Sequence, residues 1–101
     1  MAVKRQISED GSILTISITG RFDITAYQEF GQAYKDKLGS VSKTVIDMAE
    51  VEYIDSSALG MLLMLRERSG ADSAQIDIVN CSPSVKNVFK TANFDKLFNI
   101  Q

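Results

Sequence analysis

A carboxylate followed by two hydroxyls, Asp55-Ser56-Ser57, stands where an apolar, strand-like run gives way to helix-favouring residues. In α/β proteins, binding sites tend to lie at the carboxyl ends of strands. Asp or Ser at a helix start accepts hydrogen bonds from free amides of the first turn, so a plain N-cap is one interpretation. A phosphate acceptor at Ser56 is the other, because those amides and the helix dipole favour negative charge. The residue types alone leave both open.

A phosphate on Ser56 would act on binding and leave the helix intact. It would add about 1.5 to 2 negative charges to an exposed edge. Against an acidic or apolar partner surface, that charge repels and its desolvation is costly. An all-or-none change in partner binding would follow.

Several enzyme classes are disfavoured by the residues that the sequence lacks. There is no histidine, hence no Ser/His or Cys/His nucleophile pair and no histidine metal ligand. Neither a GxGxxG nor a Walker A pattern occurs. We therefore expect no catalytic residue, no cofactor and no metal site, and a phosphoryl group would come from another protein. An alternative is an enzyme or phospho-aspartate receiver in which Asp23, Asp47 and Asp55 form a magnesium-binding cluster, although Asp47 lies within a strand-like run and Asp23 has no neighbouring acid.

Length and composition predict one cytoplasmic domain over residues 1–101. The chain is 45% hydrophobic and 24% charged, with a formal net charge of −2, so nucleic acid and anionic membrane surfaces are not expected partners. No apolar run approaches the roughly 20 residues of a membrane-spanning helix, and the first residues lack the apolar stretch of a signal peptide. The single cysteine, Cys81, cannot form an internal disulfide.

The first half of the chain predicts a strand hairpin followed by a helix. Residues 7–9 and the alternating run 13–19 flank Asp10-Gly11, which suits a tight turn. Thr25, with Gln28 three residues later, resembles a capping box, so a helix is expected to begin there and to end near residue 38. Its core-facing side chains recur at three- and four-residue steps and comprise Ala26, Tyr27, Phe30, Ala33, Tyr34 and Leu38.

The second half predicts alternating strands and helices. Strands are expected at 44–48 and 75–79, a helix at 57–68, and another that Ser82-Pro83 opens. The buried stripe of the last helix comprises Val85, Val88, Phe89 and Ala92. Residues 94–100 are expected to form a short helical turn that docks on the body. The predicted fold is α/β, a mixed sheet of about four to five strands with parallel inner strands and helices packed on it.

The helix at 57–68 has more apolar residues than one core-facing stripe uses. Steps of about 100° place four of them together, namely Ala58, Met61, Leu62 and Leu65. Gly60, Leu63 and Met64 are left near the flanks and are candidate partner contacts, because methionine adapts to different binding surfaces. The alternative is that the terminal segment covers them.

These motifs resemble the STAS domain family. The resemblance rests on Ile46-Asp47-Met48 followed by Tyr53-Ile54-Asp55-Ser56-Ser57-Ala58-Leu59-Gly60, on the loop Gly20-Arg21-Phe22-Asp23, and on the closing segment 91–100. These segments occur in the family's order and extend over nearly the whole chain. The resemblance implies the STAS fold.

Within this family, the chain resembles the anti-sigma factor antagonists of bacteria. In them an unphosphorylated antagonist binds an anti-sigma factor that is a serine protein kinase, phosphorylation releases it, and a PP2C-type phosphatase restores binding. The resemblance implies Ser56 as the acceptor, with Ser57 as second choice, and Asp23, Asp55 and Ser57 as its surroundings. Ala58 departs from the family's usual glycine and leaves the partner's identity open. The alternative is an accessory subunit of a transport or other signalling complex that works without phosphorylation.

Overall fold

The structure, a computed structural model, describes residues 2–101. Three helices and three short 3-10 turns connect or flank five strands. The elements are β1 (Ala2–Ile7), β2 (Ile13–Phe22), a 3-10 turn (Ile24–Ala26), α1 (Tyr27–Lys35), β3 (Lys43–Ile54), α2 (Ser56–Arg68), a 3-10 turn (Ala71–Ser73), β4 (Ile76–Val79), α3 (Pro83–Thr91), a 3-10 turn (Phe94–Lys96) and β5 (Asn99–Ile100).

The five strands form one mixed sheet in the order β1-β2-β3-β4-β5. β1 pairs with β2 in antiparallel fashion, and every later pair is parallel. Parallel neighbours need a long crossover, and α1, α2 and α3 each lie within one of these connections. The predicted mixed sheet with parallel inner strands is confirmed.

The core lies on one face of the sheet. In β2, Leu14, Ile16 and Ile18 are fully buried, and they join side chains from all three helices in a single cluster. The intervening residues, such as Thr15 and Ser17, are only half-buried. Because successive side chains of a strand point to opposite faces, the molecule has two layers, with the helices on one side of the sheet.

The turn between β1 and β2 contains the predicted Asp10-Gly11, but it is longer than expected. β1 ends at Ile7, so the prediction that Ser8 and Glu9 belong to the strand is wrong. The Asp10 carboxylate organises the turn: Oδ1 accepts hydrogen bonds from Ser8 Oγ at 2.7 Å and Ser12 Oγ at 2.7 Å. These bonds, with one from the Ser12 amide, lower the pKa of Asp10 to about 2.

The start and end of α1 differ from the sequence prediction. Thr25 is not the N-cap: it lies inside a 3-10 turn that Asp23 caps, and α1 follows from Tyr27 without a side-chain cap. The helix ends at Lys35, so Leu38 lies in the following turn. Tyr27, predicted to face the core, is 48% exposed. The Asp23 carboxylate accepts hydrogen bonds from both the amide and the hydroxyl of Thr25, so Asp23 is the cap in place of Thr25.

In α3 the predicted cap is confirmed and half of the predicted stripe is wrong. Ser82 Oγ accepts a hydrogen bond of 3.3 Å from the Val85 amide. Val85 and Phe89 are buried, but Val88 and Ala92 are exposed. This short helix therefore uses only one residue per turn against the core.

The terminal segment docks as expected and adds a strand. Phe94 stacks on Phe89 at a centroid distance of 5.8 Å and on Phe98 at 5.2 Å. After the predicted helical turn, Asn99–Ile100 pairs with β4 as the fifth strand. Among residues 2–101, no helix is both long enough and apolar enough to cross a membrane.

Candidate functional site

The carboxyl ends of β2 and β3 lie side by side and present the candidate site. Phe22, the last residue of β2, is paired with Ile54, the last residue of β3. Asp23 directly follows β2 and Asp55 directly follows β3, so the sheet register brings their loops together. Local sequence patterns do not encode this pairing, because 32 positions separate the two residues; only the family resemblance implied that Asp23 belongs to the surroundings of Ser56.

Asp55 is the N-cap of α2. Its Oδ1 accepts hydrogen bonds from the Ser57 amide at 3.0 Å, the Ala58 amide at 3.2 Å and the Ser57 hydroxyl at 2.6 Å. The bond from the Ser57 hydroxyl is the main cause that lowers the pKa of Asp55, since it favours the charged carboxylate. The motif therefore does contain a helix cap: Asp55 is the capping residue, and Ser57 supports it through the hydroxyl bond.

Ser56 is the first residue of α2 and is exposed. Its hydroxyl takes part in none of the side-chain hydrogen bonds formed among residues 2–101, whereas the half-buried Ser57 donates its hydroxyl to Asp55. The two serines of the motif thus differ sharply in accessibility. Only Ser56 presents a free hydroxyl to solvent.

Asp23 repeats the arrangement of Asp55 one strand away. Its Oδ1 accepts hydrogen bonds from the Thr25 hydroxyl and, at 3.0 Å, the Thr25 amide, which lower its pKa. The negative charge of Asp23 in turn tends to raise the pKa of Asp55. Asp23 has no acidic neighbour along the chain, but in the structure its charge acts on Asp55 of the motif.

Arg21 and Tyr53 belong to the same surface and were missed by sequence reasoning. They are register partners on β2 and β3. The Arg21 guanidinium carbon lies 4.1 Å from the centre of the Tyr53 ring, and Arg21 Nε lies 3.5 Å from Asp23 Oδ2. The site therefore contains a cation paired with the Asp23 carboxylate. A signal was available in the sequence, since each residue stands two positions before an aspartate.

The outward face of α2 continues from Ser56. Ala58, Met61, Leu62 and Leu65 are buried, as predicted. The exposed residues recur at helical spacing and form what we call the outer stripe: Ser56, Gly60, Leu63 and Glu67. Leu63 is 41% exposed, so the alternative that the terminal segment covers it is wrong.

Met64 lies on the flank of the outer stripe and is half-buried. It lines a groove between α1 and α2 together with Tyr27 and Gly31. The terminal segment contacts α2 elsewhere, through a hydrogen bond of 3.3 Å from Arg66 Nε to the Leu97 carbonyl. Neither of the two large apolar candidates for partner contact is therefore covered by residues 94–100.

Comparison with known proteins shows the family. Residues 6–99 match the family described as "Mlab, STAS domain". A STAS-domain-containing protein of Pseudomonas aeruginosa (strain UCBPP-PA14) is 46% identical over 100 residues, which are 99% of this chain and 99% of that protein. The chain belongs to the STAS domain family.

Solved structures share the fold of this STAS domain. The unphosphorylated anti-sigma factor antagonist SpoIIAA has a TM-score of 0.82 at 19% identity, with 99% of this chain and 88% of that chain covered. The phosphorylated form of SpoIIAA, from Bacillus, has a TM-score of 0.75 at 18% identity, with 99% and 91% covered. A putative anti-sigma factor antagonist of Thermotoga maritima has a TM-score of 0.81 at 20% identity, with 97% and 84% covered. The predicted STAS fold is confirmed.

The alanine that replaces the family's usual glycine fits this STAS domain without strain. Ala58 is wholly buried within the core cluster, in the first turn of α2. Its amide still donates to Asp55. Alanine also has a better helix propensity than glycine, so the substitution is compatible with the motif geometry.

Asp47, the third carboxylate considered above, lies apart from the other two. It points to the open face of the sheet, where its Oδ1 accepts hydrogen bonds from the Ala49 amide at 3.0 Å and from Asn80 Nδ2 at 3.1 Å. Among residues 2–101, no three acidic, histidine or cysteine side chains form a group that could hold a metal ion. Asp47 thus has hydrogen-bond partners of its own and shares none with Asp23 or Asp55.

Proposed function

We propose that this STAS domain is a phosphorylation-controlled anti-sigma factor antagonist of the cytoplasm and not an enzyme. The unphosphorylated form binds an anti-sigma factor that is also a serine protein kinase. Phosphorylation of Ser56 releases that partner, and a PP2C-type phosphatase restores binding. No cofactor, nucleic acid or membrane insertion is part of this function. Support comes from the family, from the fold that it shares with antagonists, and from the exposure of Ser56.

The observation that carries the proposal is that the loop geometry does not need a hydroxyl at position 56. In the neighbouring loop, Asp23-Ile24-Thr25, the same carboxylate-to-hydroxyl and carboxylate-to-amide bonds form around a central isoleucine. Ile24 is 63% exposed, and Ser56 is exposed at the equivalent position. Structural capping thus leaves Ser56 without a role, and a role in modification fits its free hydroxyl.

A phosphate on Ser56 would act mainly on the outer stripe. At the amino end of α2 the free amides and the helix dipole stabilise negative charge, so the helix would remain folded. Leu63 lies seven residues further along the same face, or about 10 Å at about 1.5 Å per residue. A partner that contacts Gly60, Leu63 and Met64 would have to accommodate the added charge at the edge of its contact area, and it would lose affinity.

Asp23, Asp55 and Ser57 form the surroundings of the acceptor in this proposal. Asp55 and Ser57 fix the first turn of α2, and Asp23 adds a second carboxylate. With a phosphate on Ser56, this edge carries the charges of Asp23, Asp55 and the phosphate together, and an acidic or apolar partner surface loses affinity for it. Arg21 also lies at this edge, where it is held by Asp23 and Tyr53.

A second candidate function is an accessory subunit of a transport or other signalling complex that does not use phosphorylation. The family description, "Mlab, STAS domain", favours keeping it. In that case the outer stripe would bind a permanent partner. Ser56 would then be an ordinary surface residue, and its replacement by alanine or aspartate would change partner affinity little.

The deciding experiment combines the purified protein, ATP and the serine kinase or anti-sigma factor encoded beside its gene. We expect mass spectrometry to locate one phosphate on Ser56, no labelling of Ser56→Ala, and loss of partner binding in Ser56→Asp. Ser57→Ala is the matched control and should remain labelled. Equal labelling of Ser56→Ala and wild type, or equal partner affinity of Ser56→Asp and wild type, would sink the proposal.

A further inference from the structure

A groove of about 210 Å³ runs between α1 and α2. Its floor contains the buried rings of Phe30 and Tyr34 and the buried thioether of Met61. The groove is open beside Gly31, since a methyl group added there would have no heavy atom within 4 Å. An engineered cavity of about 150 Å³ is enough to hold a benzene molecule, so the groove has room for an apolar side chain.

The charge along the groove is one-sided. Of its lining residues, only Lys35 and Arg68 are charged, and both are cations. Lys35 ends α1 and Arg68 ends α2, whereas the carboxylates of the candidate site lie at the other end of the helices. Neither cation forms an ion pair with another side chain of residues 2–101. Arg68 and Tyr34 both line the groove; burial raises the pKa of Tyr34, and the positive charge of Arg68 opposes that rise.

The groove adjoins the outer stripe. Met64, on one wall, is the chain neighbour of Leu63, and Tyr27 on the other wall is 48% exposed. A protein that covers Leu63 therefore also lies next to the mouth of the groove. A flexible methionine wall can adapt to the shape of an inserted side chain.

We propose that the groove is a specificity pocket for the partner that Ser56 controls. The partner inserts an apolar side chain beside Gly31 and Met64, and places a carboxylate against Lys35 and Arg68. This inference rests on the proposed function and adds the chemistry that the partner must present. The partner's carboxylate would make binding selective, because a basic segment in its place would be repelled by the unpaired cations Lys35 and Arg68.

The test fills the groove and reverses its charge while affinity for the same neighbouring kinase is measured by calorimetry. Gly31→Leu should weaken binding at least about tenfold, the scale expected for losing one buried apolar contact. Gly31→Ala is the matched control and should bind within about threefold of wild type, because it adds only one methyl group. Lys35→Glu and Arg68→Glu should each weaken binding, and Lys90→Glu, on α3 outside the groove, should not.

The outcomes separate this inference from the proposed function. Circular dichroism and urea denaturation first establish that each variant is folded. If Gly31→Leu and both charge reversals bind as tightly as wild type while Ser56→Asp does not bind, the groove is not used and the switch stands. If wild type itself does not bind, the proposed function fails and this inference fails with it. Weakening by Gly31→Leu without any effect of charge reversal would overturn the assigned carboxylate.

Discussion

Asp23 and Asp55 hold two neighbouring loops in nearly the same conformation. Their backbone angles are φ −139°, ψ −167° and φ −131°, ψ −173°. Each carboxylate accepts an amide and a hydroxyl from the residue two positions later. The middle residue of each loop, Ile24 or Ser56, is exposed. The loop conformation therefore does not depend on the side chain at the middle position. Residues as different as Ile24 and Ser56 fit there, so this position can serve a function.

The partition of the two serine hydroxyls can be tested through Asp55. Its pKa is lowered mainly by the hydrogen bond from the Ser57 hydroxyl. Ser57→Ala should therefore raise the pKa of Asp55 towards the ordinary value of about 3.9. Carbon-13 NMR titration of the carboxyl group measures this. Ser56→Ala is the matched control, and an equal rise in that variant would mean that Ser56 also binds the carboxylate.

Negative charge at the start of α2 should leave the helix folded. Ser56→Asp places a carboxylate in the first helical turn, where the dipole stabilises it by about 0.3 to 1 kcal/mol. We expect an unchanged far-ultraviolet circular dichroism spectrum and a urea midpoint equal to or above that of wild type. Lys90→Asp reverses a charge in the last turn of α3 and should lower the midpoint. A large loss of helix in Ser56→Asp would show that phosphorylation acts by unfolding.

Leu62 and Leu63 are adjacent in sequence and should respond in opposite ways. Leu62 is fully buried and Leu63 is 41% exposed. Leu62→Ala should lower the free energy of unfolding by about 2 to 5 kcal/mol, whereas Leu63→Ala should change it by less than about 0.5 kcal/mol. Urea denaturation measures both. In the partner-binding assay, Leu63→Ala should stay folded and bind the partner with reduced affinity. Unchanged affinity of Leu63→Ala would show that Leu63 is not part of the contact surface.

Stability should fall in acid, between about pH 4 and pH 2. Asp10 has a folded pKa of about 2, below the value of about 3.9 in an unfolded chain. Such a group stabilises the folded state above its unfolded pKa, and the contribution is lost as the pH falls through the folded pKa. The pKa values of Asp23, Asp36 and Asp55 are also lowered and act in the same direction.

Asp10→Asn isolates one part of this acid dependence. Asparagine retains an acceptor oxygen for the turn but cannot titrate, so the variant should be less stable than wild type at pH 7. The difference in urea midpoint should shrink as the pH approaches 2. A constant difference across that range would show that charge at position 10 does not contribute.

The Arg21 and Tyr53 side chains should be energetically coupled. The guanidinium lies 4.1 Å from the ring centre, and exposed contacts of this kind contribute about 0.5 to 1 kcal/mol. A double-mutant cycle with Arg21→Met and Tyr53→Leu should recover a coupling energy of that size. Zero coupling would mean that the two residues are independent in solution.

Much of the fold could be predicted from the sequence, because local signals for strands, turns and helix starts were consistent with each other. Alternating apolar residues marked β2, Asp10-Gly11 marked the turn, and Ser82-Pro83 marked the start of α3. The core face of α2 also followed from its helical spacing. In each case the physical cause lies within a few residues of chain, so no knowledge of distant contacts was needed.

Other features were decided by contacts between elements. The terminal segment gave Phe89 an aromatic neighbour in Phe94, whereas Val88, one residue earlier, stayed exposed. Pairing across the sheet, which local propensity does not encode, determined that Arg21 lies on Tyr53.

The sequence by itself determined the motif Asp55-Ser56-Ser57, its place before a helix and the family that it indicates. Only the tertiary structure assigned the two hydroxyls their separate states, with Ser57 bound to Asp55 and Ser56 free. The pairing of Phe22 with Ile54 also brings Asp23, which the resemblance had implied near Ser56, to the same edge. The physical reason is that residue order fixes local hydrogen-bonding capacity, whereas accessibility and electrostatic neighbours depend on how strands and helices pack.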